Sequence, residues 1–306
     1  MTLDNEDDAY LIFETLNTRG KDLALSDLMR NHFTKFLKPV GGVDQSKLKW
    51  GKVLDTIASS TVNLDPDTFI VHSWQSRYDF VTKAKTFQKV KAAVTQKNAK
   101  SHLDRFVTDS EQWRAIFDTE YMWDKNEKDI ARSLSALRVF KVVQPAPGLL
   151  SLVRAYRDGV IKYKVAKKAV HQIEKFHFAF NAITSSRSSG GISGMYSSFG
   201  RSVFTAKDSN EVAMEITNLL EKLRDREVPE SEFDAGFEQI IYLLLVDSET
   251  NGLLGTHKFV DKKKILLARG YRLPDAFLSV DKLTPELIVE NTKRISVLAR
   301  QSIWKV

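Results

Sequence analysis

The chain has 306 residues, of which 42% are hydrophobic and 28% charged, a mix that suits a folded chain with a sizeable core and excludes a disordered one. It contains no cysteine, which excludes disulfides and thiolate metal centres, and no apolar run approaches the roughly 20 residues that a membrane helix needs. The formal net charge of +7 favours a polyanionic partner, and the acidic start "MTLDNEDDAY" lacks the order of a signal peptide, so a cytoplasmic protein without a membrane is expected.

Helical spacing dominates in chain order. Ala9, Leu11, Ile12, Phe13 and Leu16 fit one buried face of a first helix, which stops at Gly20. Ser26 is a candidate N-cap for the next helix, with Asp27 in its first turn, and Leu28, His32 and Phe36 share a face before Pro39 ends it. A helix over about Gln45–Ser59 follows. Asp65-Pro66 then opens a long helical segment to about Val94. Leu103–Phe117 reads as a helix anchored by Phe106, Trp113 and Phe117, and Ile130, Leu134, Leu137, Val139 and Phe140 mark another. "QPAPG" at Gln144–Gly148 breaks the pattern, and helices over Leu149–Arg157 and Lys162–Ala182 come next. After the Ser- and Gly-rich stretch Ser185–Gly194, helices are expected over Met195–Phe204, Ser209–Arg224, Ser231–Ile240, Lys258–Ala268 and Thr284–Trp304. Tyr242–Val246 ("YLLLV") is the best strand candidate. The expected architecture is mainly α, a multi-helix body over residues 1–184 and a helical C-terminal region over 185–306 with one small α+β patch.

Standard catalytic signatures are absent: there is no GxxxxGK[ST], HExxH or GxSxG. The histidines, His32, His72, His102, His171, His177 and His257, are scattered, and the six-residue step from His171 to His177 is poor for a metal on a helix, so no metal site is expected. The lysines of "KAKTFQKVKAAVTQKNAK" (Lys83, Lys85, Lys89, Lys91, Lys97, Lys100) either face phosphates or form a solvated face. The same choice applies to Lys162, Lys164, Lys167 and Lys168, and to Lys262, Lys263 and Lys264. The turn Asn17-Thr18-Arg19-Gly20 puts a guanidinium beside a glycine that permits close backbone approach, so Asn17, Arg19 and Gly20 are candidates for binding a nucleotide or phosphate.

"DDAYLIFETLNTRGKDLALSDLMRNHF" (Asp7–Phe33) resembles the "FexLNtrGxxLsxxDLxkN" signature of the GmrSD-like restriction endonuclease family. Ile173–Arg201 is similar to a later helical segment of that family. "LLLVDSETNGLLGTHKFVDKKKIL" resembles the end of its C-terminal HNH nuclease domain, and "LIVENTKRISVLARQSIW" its closing helix. The resemblance implies phage defence by a nucleotide-regulated, modification-dependent DNA endonuclease, with a ParB-like half carrying a DGQQR motif and Mg²⁺ at the HNH site. Asn251 matches the helix asparagine of the HNH motif, the candidate catalytic residue. Lys262 or Lys263 matches its basic residue, and Lys262–Lys264 are candidates for DNA contact.

Two family motifs are missing. No DGQQR occurs, and nothing between Phe233 and Leu243 resembles the "EHIxPQ" stretch that supplies the general base. The sequence therefore points to a relative truncated at the N-terminus and deleted within the HNH domain. Such a chain is expected to bind DNA or a protein partner that brings the missing half, with little or no catalysis and neither Mg²⁺ nor nucleotide on the chain itself. An exposed apolar surface near Ala9–Phe33 would mark where that half packs. The alternative is an active metal-dependent endonuclease or nickase with a divergent HNH site, which requires a general base near Asn251.

Overall fold

A computed structural model of the chain describes residues 24–37, 39, 43–184, 191–240 and 246–303. Every regular element among them is helical, and no described residue lies in a strand. The strand candidate falls mostly on residues 241–245, outside the described set, and Val246 belongs to no regular element. The chain packs as two units: Met1–Glu174 with Ser188–Lys222, and Lys175–Arg187 with Leu223–Val306.

The first unit opens with α1 (Leu25–Phe36), which buries Leu25, Met29, His32 and Phe33. Ser26 is not its cap. Ala24 occupies that position, and the orphan amides of Leu25 and Ser26 donate instead to the Asp67 carboxylate, at 3.1 and 2.9 Å. Asp67 lies in the first turn of α3 (Pro66–Gln75), so one carboxylate serves the amino ends of two helices. Between them runs α2 (Gln45–Ala58), capped by Asp44. The long segment expected from Asp67 to Val94 is two helices, α3 and α4 (Lys83–Ala93), because the chain leaves helical geometry after Ser76 and turns to start again beyond Thr82.

The helix α5 (Ala99–Phe117) packs along α2 and supplies the centre of the core. Phe33, Trp50, Phe69, Phe106 and Trp113 meet there with ring centroids 5.5–6.0 Å apart, at tilted and edge-on angles that suit their quadrupoles. The described part of the Ala9–Phe33 stretch thus points its large apolar groups inward, since Leu25, Met29 and Phe33 are buried.

Next come α6 (Lys128–Val139), α7 (Ala146–Arg157) and α8 (Tyr163–His177), the last continuing as a π-helical turn over Phe178–Ile183 that is part of the second unit. Then follow α9 (Ile192–Thr205) and α10 (Ser209–Arg224). Gly148 and Gly200 let α7 and α9 approach closely. A Cβ on Gly148 would lie 2.9 Å from the Tyr196 ring, and one on Gly200 3.1 Å from the backbone of Ser76.

The second unit contains α11 (Glu230–Ile240), α12 (Ser248–Leu254), α13 (Phe259–Ala268), the short α14 (Asp275–Leu278) and α15 (Pro285–Leu298). Leu266, Leu273 and Phe277 form one small core, covered by Leu254, Phe259 and Leu287. Phe178, Phe233 and Phe237 pack together elsewhere in the unit, and Ser296 and Arg300 bind Asp234 of α11. A Cβ on Gly236 would sit 2.6 Å from the Ile183 carbonyl oxygen and 2.7 Å from its Cγ2. Gly236→Ala is therefore expected to destabilise this unit by about 1–3 kcal/mol, measured by urea unfolding. Parent-like stability would mean that α11 and the π-helical turn do not pack this closely.

Candidate functional site

The residues singled out in the HNH-like stretch lie on α12 and α13. Asn251 is exposed on α12 and hydrogen-bonds through its backbone into the helix. Its sequence neighbours with carboxylates are occupied. Asp247 caps α12, accepting from the Thr250 amide and hydroxyl at 2.7 Å each and from the Tyr271 hydroxyl. The Tyr271 hydrogen bond, followed by those from Thr250, holds the Asp247 carboxyl well below the ordinary carboxylate range, which makes it a poor proton acceptor at neutral pH. Glu249 pairs with Arg269 at 3.2 Å. His257 is exposed beyond the end of α12.

The three lysines of α13 differ in their surroundings. The Lys263 ammonium donates to the carbonyls of Leu278 and Val280, at 3.0 and 2.9 Å, so it closes the end of α14. Lys262 is half-buried, and the exposed Lys264 lies 3.9 Å from Asp261. Among the described residues no group of three His, Asp or Glu side chains is placed to hold a metal. Asn17, Arg19 and Gly20 lie outside the described residues.

Sequence reasoning passed over a second site, in the first unit. Asp109 of α5 is fully buried. Arg77, just beyond α3, grips it with both terminal nitrogens, one at 2.9 Å. Arg154 of α7 reaches the same carboxylate through Nε and a terminal nitrogen at 3.3 and 3.2 Å, and the Ser73 hydroxyl donates to it at 2.6 Å. Burial alone would raise the Asp109 carboxyl, but Arg154, Arg77 and Ser73 outweigh it and leave the group below the ordinary range. Two guanidinium charges therefore share one carboxylate.

These arginines line a cavity of about 590 Å³, together with Lys97, Lys100, Ser101, Asp104, Arg105, Thr108 and Asp158. The guanidinium carbons of Arg77 and Arg105 both lie 5.4 Å from the centroid of the Phe204 ring, which holds two like charges near one aromatic group. Neighbouring His102 is pushed down to about 4 by burial and by the Arg105 and Arg77 charges. A larger groove of about 940 Å³ runs along α2, lined by Leu48, Trp50 and Leu54. Its half-buried cation, Arg114, is committed to Asp118, Thr56 and Ser59.

The six lysines of the α4–α5 stretch, Lys83, Lys85, Lys89, Lys91, Lys97 and Lys100, are all exposed. Buried Thr86 and Val90 turn α4 so that its lysines stand outward. Lys83 pairs with Asp67 and Lys100 with Asp104. Lys162, Lys164, Lys167 and Lys168 are also exposed, with Lys167 on Asp129. No helix of the described residues is long and apolar enough to cross a membrane. Comparison with family models, with curated proteins and with solved structures found no match to the chain.

Proposed function

We propose that this chain is the DNA-holding body of a phage-defence system of the GmrSD-like kind, gripping duplex DNA by its phosphates. The observation that carries this is the exposed lysine series from Lys83 to Lys100 in a chain with a net charge of +7. Lysines on flexible stems neutralise backbone phosphates without reading bases, and the released counterions supply affinity. The engaged carboxylates beside Asn251 favour holding over cutting.

The test incubates the purified chain with supercoiled plasmid, Mg²⁺ or Mn²⁺ present, on unmodified and phage-modified DNA, with Asn251→Ala alongside. Salt-sensitive retardation without nicking is the expected result. Nicking that vanishes in Asn251→Ala would replace this proposal with an active endonuclease.

A further inference from the structure

The arginine cavity of the first unit has a charge balance that ordinary packing does not need. A structural ion pair places one cation against one carboxylate, since unpaired charge in the interior is costly. Here Arg77, Lys97, Lys100, Arg105 and Arg154 line the cavity or its floor, against Asp104, Asp109 and Asp158. Counted with exposed Lys97 and Lys100, five cations face three carboxylates, and in the interior the two guanidinium groups of Arg77 and Arg154 face the single carboxylate of Asp109. Asp104 is further neutralised by Lys49 from α2.

Part of that excess is buried. Arg77 is 6% exposed, and its Nε is buried without a hydrogen-bond partner among the described residues. Burial pulls the Arg154 guanidinium below its usual range, with Asp109 opposing and Arg77 adding to the pull. An anion entering the cavity would bring counter-charge to the guanidinium groups of Arg77, Arg105 and Arg154 that line it. The rim supplies the Ser101 hydroxyl as a further donor, whereas that of Thr108 already donates to the Asp104 carbonyl.

We infer that this cavity seats a dianionic phosphoryl group, a terminal phosphomonoester rather than the singly charged diester of a continuous backbone. A phosphomonoester carries close to two negative charges at neutral pH and presents the oxygens that guanidinium forks match. The same group occurs at the 5′-phosphorylated end of a DNA strand and on a free nucleotide. The inference rests on the proposed polyanion partner for its choice of ligand and adds the place and charge state.

Two arms of one experiment distinguish the sources. In the first, fluorescence anisotropy compares a duplex carrying 5′-phosphates with the same duplex lacking them. The phosphorylated duplex is expected to bind about tenfold more tightly or better, as one added charge-assisted contact implies. In the second, inorganic phosphate is expected to raise the melting temperature above that in sodium chloride at equal ionic strength. Arg105→Gln, outside the buried Asp109 cluster, should abolish both effects while leaving the fold intact. Arg154→Gln serves as the harsher variant.

Equal affinity for the two duplexes, with no stabilisation by phosphate, overturns the inference, even if both duplexes bind well and DNA holding stands. Stabilisation by phosphate that Arg105→Gln removes, with neither duplex bound, supports the cavity with a free phosphate compound as its ligand. That outcome overturns DNA holding instead.

Discussion

Asp109→Ala is expected to cost about 3–5 kcal/mol of stability, as the loss of one partner from a buried ion cluster implies. The carboxylate accepts from Arg77, Arg154 and Ser73, which come from the end of α3, from α7 and from α3 itself. Removing it leaves two guanidinium groups facing each other in the interior with no counter-charge, and the desolvation of both is no longer offset. The same substitution loosens the Ser76 region, where Arg154 donates to the Ser76 hydroxyl and the Ser151 hydroxyl donates to the Ser76 carbonyl, both at 2.8 Å. Denaturant unfolding of the parent and the variant measures the difference. A loss under about 1 kcal/mol would show that the cluster is open to water and that its charges are solvated rather than paired.

Acid should weaken the fold well before its carboxylates protonate. His72, His102 and His177 are each pushed down to about 4, in every case chiefly by burial. Their ordinary value in an unfolded chain is near 6.5. Between these limits the unfolded chain takes up protons that the folded chain refuses, so stability falls as the pH drops from about 6.5 to about 4. Each histidine contributes up to about 1.4 kcal/mol per pH unit. His72 illustrates the cause: its Nδ1 accepts from the Trp113 indole at 3.1 Å, a contact that a protonated ring would lose. Below about pH 4 the loss continues through carboxylates held below their ordinary range, among them Asp109, Asp118 and Glu127. Unfolding free energies at pH 7.0, 5.5 and 4.5 should decline in that order. A flat profile across these points would mean that the three rings titrate normally in the folded chain.

The helices were largely legible because their signals are local. Asp65 before Pro66 and Thr284 before Pro285 each carry the side-chain cap that their spacing predicts. Ser209–Arg224 follows its apolar period from end to end. What the sequence concealed depends on distant partners. Ser26 looks like a cap, but the amides of Leu25 and Ser26 are served by a carboxylate about forty positions away. The break after Ser76 leaves the apolar pattern almost undisturbed, yet it carries Arg77 to Asp109.

The arginine cavity was equally hidden, since Arg77, Arg105 and Arg154 each look like surface residues in isolation. One signal did exist. Leu103, Phe106, Asp109, Ser110 and Trp113 recur at helical spacing on the buried face of α5, and a carboxylate in that row calls for cations from elsewhere. The resemblance drew attention to Asn251 and the α13 lysines instead, where Lys263 is engaged in closing α14.

DNA holding is tested most directly by the salt dependence of binding to a short duplex, comparing the parent chain with the variant Lys85→Gln, Lys89→Gln, Lys97→Gln. The parent should lose affinity steeply as salt rises. The logarithmic slope should be shallower by about 2–3 in the variant, as the loss of three phosphate contacts implies. Binding that ignores salt, or a variant slope equal to the parent's, would contradict a phosphate grip by the lysines of α4 and the turn before α5.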